Sequence, residues 1–198
     1  MAVEAWGGVR REAARKAFHL ASAAVPFAVW FLPRSLALGG LTCLALAALM
    51  LEVARSKMRP ARYLFLRRTR PLLRGHERRR ITGATYMAVA YALAAFLFPL
   101  RVAVAAMLYN AFGDAAAALV GRRFGRHRTR GGKSWEGFGA GLLVNLSVGF
   151  AIPGILPAGA VLGALTASTL EFLPLPLDDN LRVTLGGGVG ILVGSLLG

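Results

Sequence analysis

The feature that most constrains this chain is the spacing of its apolar residues, which run in seven stretches separated by short polar punctuation. The stretches lie at 17–33, 35–54, 82–99, 101–121, 135–152, 157–173 and 182–198. Each approaches the roughly 20 residues that a helix needs to cross a hydrocarbon core about 30 Å thick. The expectation is an all-α fold, a polytopic transmembrane bundle of about seven spans forming one domain over residues 1–198. Composition agrees. Of the 198 residues 56% are hydrophobic and only 17% charged, too few charges to cover a water-soluble core of that size. Cys43 stands alone, which excludes an intrachain disulfide and a cysteine zinc site. The first stretch lacks a small-residue cleavage site and further stretches follow at once, so it reads as a retained helix. Arg10-Arg11 has no twin-arginine context.

Charge then orients the bundle. There are 24 Lys and Arg against nine Asp and Glu, a net +15. In a soluble chain this would suggest nucleic acid; in a hydrophobic one it marks cytoplasmic loops and anionic lipid headgroups as partners. On the expected spans, 22 of the 24 basic residues fall on one side, and Arg34 and Arg101 on the other. That predicts the N-terminus inside and the C-terminus outside, in the cytoplasmic (inner) membrane. The inner loops are a basic one at 55–81, one at 121–134 and an acidic one at 174–181. All nine acids also fall in the inner segments or inner halves of spans, though acids contribute little to topology. An active site on that face explains the clustering. Gly186, Gly190, Gly194 and Gly198, with Gly137 and Gly141, form small-residue stripes for close helix approach within the bundle; a homo-oligomer through the same spans is the alternative.

Several groups on the inner face can carry chemistry. Asp114, in the run Asn110-Ala111-Phe112-Gly113-Asp114, is an acid inside an apolar helix. Such a charge costs several kcal/mol unless paired, hydrated or metal-bound, and is functional by default. Asn110 lies one turn earlier on the same face, which suits an oxygen-lined cation site; a salt bridge from Asp114 to an arginine is the plainer alternative. Gly131-Gly132-Lys133-Ser134-Trp135-Glu136 opens the fifth span. Glycines admit a phosphate close to the backbone, Lys133 adds charge, and a helix N-terminus favours anions. It is not a P-loop, because the first required glycine position is His127 and no strand precedes it. Arg15, Lys16 and His19 begin the first span, and Glu52 with Arg55 ends the second. Thr82-Gly83-Ala84-Thr85 opens the third. Glu171 ends the sixth, and Asp178-Asp179-Asn180 follows as a pair of acids plus an amide that suits a hydrated Mg²⁺ or an ordinary turn.

Taken in order, Arg-Lys-x-x-His, the glutamate ending span two, Thr-Gly-Ala, Gly-Asp-x-x-Ala-x-x-x-Gly-Arg-Arg-x-Gly, Gly-Lys-Ser-x-Glu-Gly and Asp-Asp-Asn resemble the dolichol kinase, phytol kinase and CTP-dependent diacylglycerol kinase family. The resemblance runs from Arg15 to Asn180. It implies a membrane enzyme that phosphorylates a lipid hydroxyl from CTP with a divalent metal. It further implies that Asp114, Lys133, Ser134, Glu136 and the Asp178-Asp179-Asn180 loop are active-site positions.

On this reading phosphoryl transfer runs in line at the inner interface to a polyprenol, phytol-like or diacylglycerol hydroxyl. Asp114 holds Mg²⁺ with help from Asp178 or Asp179. Lys133, Arg122 and Arg123 clamp the triphosphate, Gly131 and Gly132 hug it, and Glu136 or an aspartate accepts the hydroxyl proton. Arg15, Lys16 and Ser134 complete the phosphate set, with His19, Glu52, Thr82, Asn110, Glu171 and Asn180 as further site residues. A membrane cytidylyltransferase making a CDP-lipid and an ion- or proton-coupled transporter are the alternatives; the second has no use for the Gly-Gly-Lys-Ser segment.

Overall fold

The computed structural model describes residues 17, 19–69, 73, 77, 80–129 and 131–198. All regular structure among them is helical: α1 (Ala24–Phe31), α2 (Arg34–Lys57), α3 (Arg59–Thr69), α4 (Gly83–Leu97), α5 (Leu100–Leu108), α6 (Asp114–Phe124), α7 (Trp135–Ala151), α8 (Pro157–Phe172) and α9 (Asp179–Ser195). A five-residue π turn, Tyr109–Gly113, joins α5 to α6 without breaking the rod.

Each of the seven apolar stretches is helical. Two helices are long and apolar enough to cross a membrane, Arg34–Lys57 and the continuous Leu100–Arg123, each of 24 residues. At about 1.5 Å per residue each spans about 36 Å, more than the hydrocarbon core. The other five helices have 8 to 17 residues. Helix α3 was not expected from the sequence, which read 55–81 as a basic loop. Pro60 falls in its first turn, where the missing N–H costs nothing, and no glycine interrupts the helix.

Local chemistry sets the boundaries. Thr82, Ser134 and Asp178 cap α4, α7 and α9, accepting hydrogen bonds from Thr85 N at 3.3 Å, Gly137 N at 3.1 Å and Asn180 N at 3.0 Å. Prolines punctuate the turns at Pro33 and Pro99, which fix an extended backbone before α2 and α5.

The interior is built from small residues. Ala90, Ala94, Ala105, Ala106, Ala160 and Ala164 are fully buried. Helices α8 and α9 run antiparallel and close: a Cβ on Gly190 would lie 2.8 Å from Leu162 O, and one on Gly194 would collide with Ala158 O. The Gly186-Gly190-Gly194 stripe is thus occupied by α8 of the same chain. The outer surface is apolar instead, with Phe31 80% and Leu143 67% exposed, and Leu36, Met50, Leu97 and Phe150 exposed beside them. The surface is apolar, and the interior sets small residues around a few large ones such as Tyr91, Met107, Tyr109 and Ile191.

Candidate active site

The π turn sets the site. It adds one residue to the helical repeat, and such insertions recur at functional positions because they re-aim the next side chain. Here the next side chain is Asp114, the first residue of α6. Gly113 lets α6 sit against α7, since a Cβ there would collide with the amide of Asn145.

Asp114 borders two cavities. The first, the basic cavity of about 310 Å³, is polar: Arg122, Arg128 and Lys133 make one side basic, Asp114, Glu171 and Asp179 supply carboxylates, and Gly132, Ser134, Asn145 and Ser168 also line it. The second, of about 480 Å³, is mainly apolar and lies between α1, α2, α3 and α4, with Val25, Leu44, Leu51, Phe65, Met87 and Tyr91 in its walls. Its polar end carries His19, Glu52, Thr82, Asn180 and Asp114. Asp114 lines both walls.

In the basic cavity, the 125–134 segment folds back as a tight turn. Thr129 N donates to Lys133 O at 2.7 Å, Gly132 N donates to Thr129 O at 2.9 Å, and Trp135 N donates to His127 O at 3.0 Å. Gly132 takes φ +81°, a conformation that disfavours any side chain. Arg128 clasps this turn to α6, donating to Gly132 O at 3.1 Å and Gly121 O at 3.0 Å. Arg122 and Arg128 both line the cavity and are exposed, so this side of it carries like positive charges that favour an anion. Lys133 reaches across to α8 and α9, donating to Glu171 Oε1 at 2.8 Å, Asp179 Oδ2 at 3.3 Å and the Glu171 carbonyl. Asp179 is also paired with Arg182, whose guanidinium donates to Leu170 O and Leu173 O.

At the polar end of the apolar cavity, His19 Nδ1 lies 3.6 Å from Asp114 Oδ2. Asn110 Nδ2 donates to Asn180 Oδ1 at 3.1 Å, and Asn180 Nδ2 donates to Asp178 Oδ1 at 2.8 Å and Gly83 O at 3.2 Å. Glu52 Oε1 accepts from Thr82 N, Thr82 Oγ1 and Thr85 Oγ1, each at 2.9 Å, while Arg55 donates to the same carboxylate. Glu52 and Thr82 therefore join α2 to α4 and wall the apolar cavity.

The structure thus brings Asp114, Arg122, Gly132, Lys133, Ser134, Glu171 and Asp179 to one cavity, with Asn110 and Asn180 bonded beside it. It does not bring in four others. Glu136 turns outward, its Oε1 2.8 Å from His127 Nδ1. Arg123 packs over the Phe124 ring at 5.7 Å, Gly131 faces Pro174, and Asp178 is spent on capping α9. Arg15 and Lys16 lie outside the described residues. Sequence reasoning missed Arg128, Asn145, Ser168 and Tyr109. Arg128 looked like one charge among many, and the other three are small polar signals inside apolar helices.

Among the described residues no three His, Cys, Asp or Glu side chains form a ready metal centre. A Mg²⁺ carried in by a polyphosphate needs only one or two carboxylates, the rest of its shell being water and phosphate. Asp114, Glu171 and Asp179 share the cavity, and each neighbouring carboxylate acts on Glu171 as a like charge, so the donor set fits such an ion.

Among the described residues the helices thus enclose one polar, charged cavity and one apolar cavity, with Asp114 in the wall of both. No family model matches the chain, and no solved structure matches it. It is 37% identical over 103 residues to a phytol kinase of Synechocystis sp., a match covering 46% of this chain and 43% of that enzyme. The chain thus spans less than half of the length of the curated relative it matches. The similarity supports the phytol and polyprenol kinase-like family for this chain.

Proposed function

We propose that this protein is an integral membrane kinase that transfers the terminal phosphoryl group of a nucleoside triphosphate, CTP, to the hydroxyl of a lipid alcohol. The observation that carries the reading is that Asp114 stands in the wall shared by the basic and the apolar cavity. The similarity to a phytol kinase supports a polyprenol or phytol-like acceptor. The exposed apolar outer surface supports seven spans, and the 22-to-two charge split supports an N-terminus, and the site, facing the cytoplasm.

The apolar cavity takes the first part of the lipid tail, gaining about 0.8 kcal/mol per buried CH₂. Its polar end brings the hydroxyl to Asp114 and His19. The triphosphate lies in the basic cavity, where Arg122, Arg128 and Lys133 spread their charge along it and the glycine turn leaves room for close approach. Asp114 and Asp179 would hold Mg²⁺, which supplies charge neutralisation on the phosphates. His19, 3.6 Å from Asp114 on the apolar side, takes the hydroxyl proton as the lipid oxygen bonds to the terminal phosphorus and the bridging P–O bond breaks. The nucleoside diphosphate leaves from the arginine-lined mouth. Such transfer needs positioning and charge stabilisation rather than covalent catalysis.

Product analysis tests this. Purified protein given CTP and a polyprenol or phytol should yield lipid monophosphate and CDP. Release of pyrophosphate with a CDP-lipid would make it a cytidylyltransferase instead.

A further inference from the structure

At the floor of the basic cavity, away from the arginine mouth, two buried oxygen atoms have no hydrogen-bond donor: Asn145 Oδ1 and Glu171 Oε2. Buried acceptors left unpaired cost stability, so native structures give most of them a partner. Asn145 is 2% exposed, and its nitrogen donates to Ser168 Oγ at 3.0 Å. Ser168 and Glu171 are one turn apart on α8, so their side chains share a face. Gly113 is kept without a side chain where a Cβ would strike this amide. Asp114 and Asp179 act on Glu171 as like charges, and Lys133 pairs with its Oε1, which leaves Oε2 unpaired. One carboxylate, one amide and one hydroxyl oxygen in the lining of one cavity are donors of the kind a hard cation takes.

We infer that Asn145, Ser168 and Glu171 hold a hard divalent cation at the floor of this cavity, bound by the protein before any nucleotide arrives. This is a position distinct from that of a metal carried in on the polyphosphate. It joins α7 to α8 and counters the carboxylates that face each other there. The inference uses the cavity of the proposed kinase site but does not depend on which group is transferred.

The test uses the full chain in detergent or nanodiscs with no nucleotide present, and Mn²⁺ as the probe, followed by electron paramagnetic resonance. We expect one Mn²⁺ per chain, displaced by excess Mg²⁺. Glu171→Gln keeps shape and removes the charge, and should weaken binding at least about tenfold. Asn145→Asp adds a charged oxygen and should tighten it, a gain that a purely structural amide would not produce. Arg67→Ala, exposed on α3 and outside the cavity, should leave binding unchanged. The inference is overturned if no Mn²⁺ binds without nucleotide, or if Glu171→Gln and Asn145→Asp both bind like the parent; the oxygens would then be satisfied by water. Because binding is read without turnover, this outcome is separate from whether the protein phosphorylates a lipid.

Discussion

Asn110, in the π turn, donates its side-chain amide to Asn180 at the start of α9, a 3.1 Å bond between residues 70 positions apart in the chain. It ties the helix that bears Asp114 to the first turn of α9, which bears Asp179, and Asn180 passes the connection on to Gly83 at the start of α4. Both residues are buried, so the bond is a fixed part of the site's frame.

Asn180→Ala should therefore leave the Asn110 amide buried without its partner and destabilise the protein by about 1–3 kcal/mol. Thermal unfolding of the purified protein reads that loss. Turnover should fall as well, with Asn110→Ala giving a loss of similar size. The double variant should cost clearly less than the sum, because both changes remove the same bond.

Lys133→Ala should raise KM for nucleotide at least about tenfold, by removing the ammonium that faces both carboxylates and the polyphosphate. Lys133→Met should match it, since length without charge does not help. KM for the lipid should stay within about twofold. Arg128→Ala, which also unclasps the turn, should follow Lys133→Ala. Arg67→Ala, on exposed α3, is the control and should change nucleotide KM little. Kinetics with each substrate varied separately decide this.

Glu136 is held against His127 on the outer side of the turn rather than in the cavity. Glu136→Gln should consequently keep activity within about threefold, the scale of a weak exposed pair. His127→Ala should behave alike. A loss of a hundredfold or more in kcat would return Glu136 to the chemistry.

The apolar cavity can be filled without touching the basic one. Ala48→Phe, on α2 in its wall, should raise lipid KM or abolish lipid use while nucleotide binding stays near that of the parent. Equilibrium nucleotide binding alongside turnover separates the two effects. Overpacking costs about 1–3 kcal/mol, which the thermal midpoint would report.

Much of this was legible before the structure. Apolar stretches of about 20 residues place helices through chain length alone, and Asp114 stood out because a charge in an apolar helix is costly. Helix α3 was hidden because its arginines read as a loop, although nothing in them breaks a helix. The direction of side chains was hidden too: Glu136 and Lys133 are three residues apart, yet one turns outward and the other inward. Only the fold of the 125–134 turn decides that. Asn145 and Ser168 gave no signal, since a single amide or hydroxyl in a small-residue helix usually packs. Their role depends on what the π turn and Gly113 bring beside them.

The proposed function rests on transfer of a phosphoryl group from the basic cavity to the apolar one at Asp114. It is tested most directly with CTP labelled in its terminal phosphate and a polyprenol or phytol acceptor, comparing the parent with Asp114→Asn. The parent should give labelled lipid monophosphate and Asp114→Asn near-background label, with the variant's thermal midpoint close to the parent's. Labelled lipid formed equally well by Asp114→Asn at saturating Mg²⁺, or label released only as pyrophosphate by the parent, would contradict it.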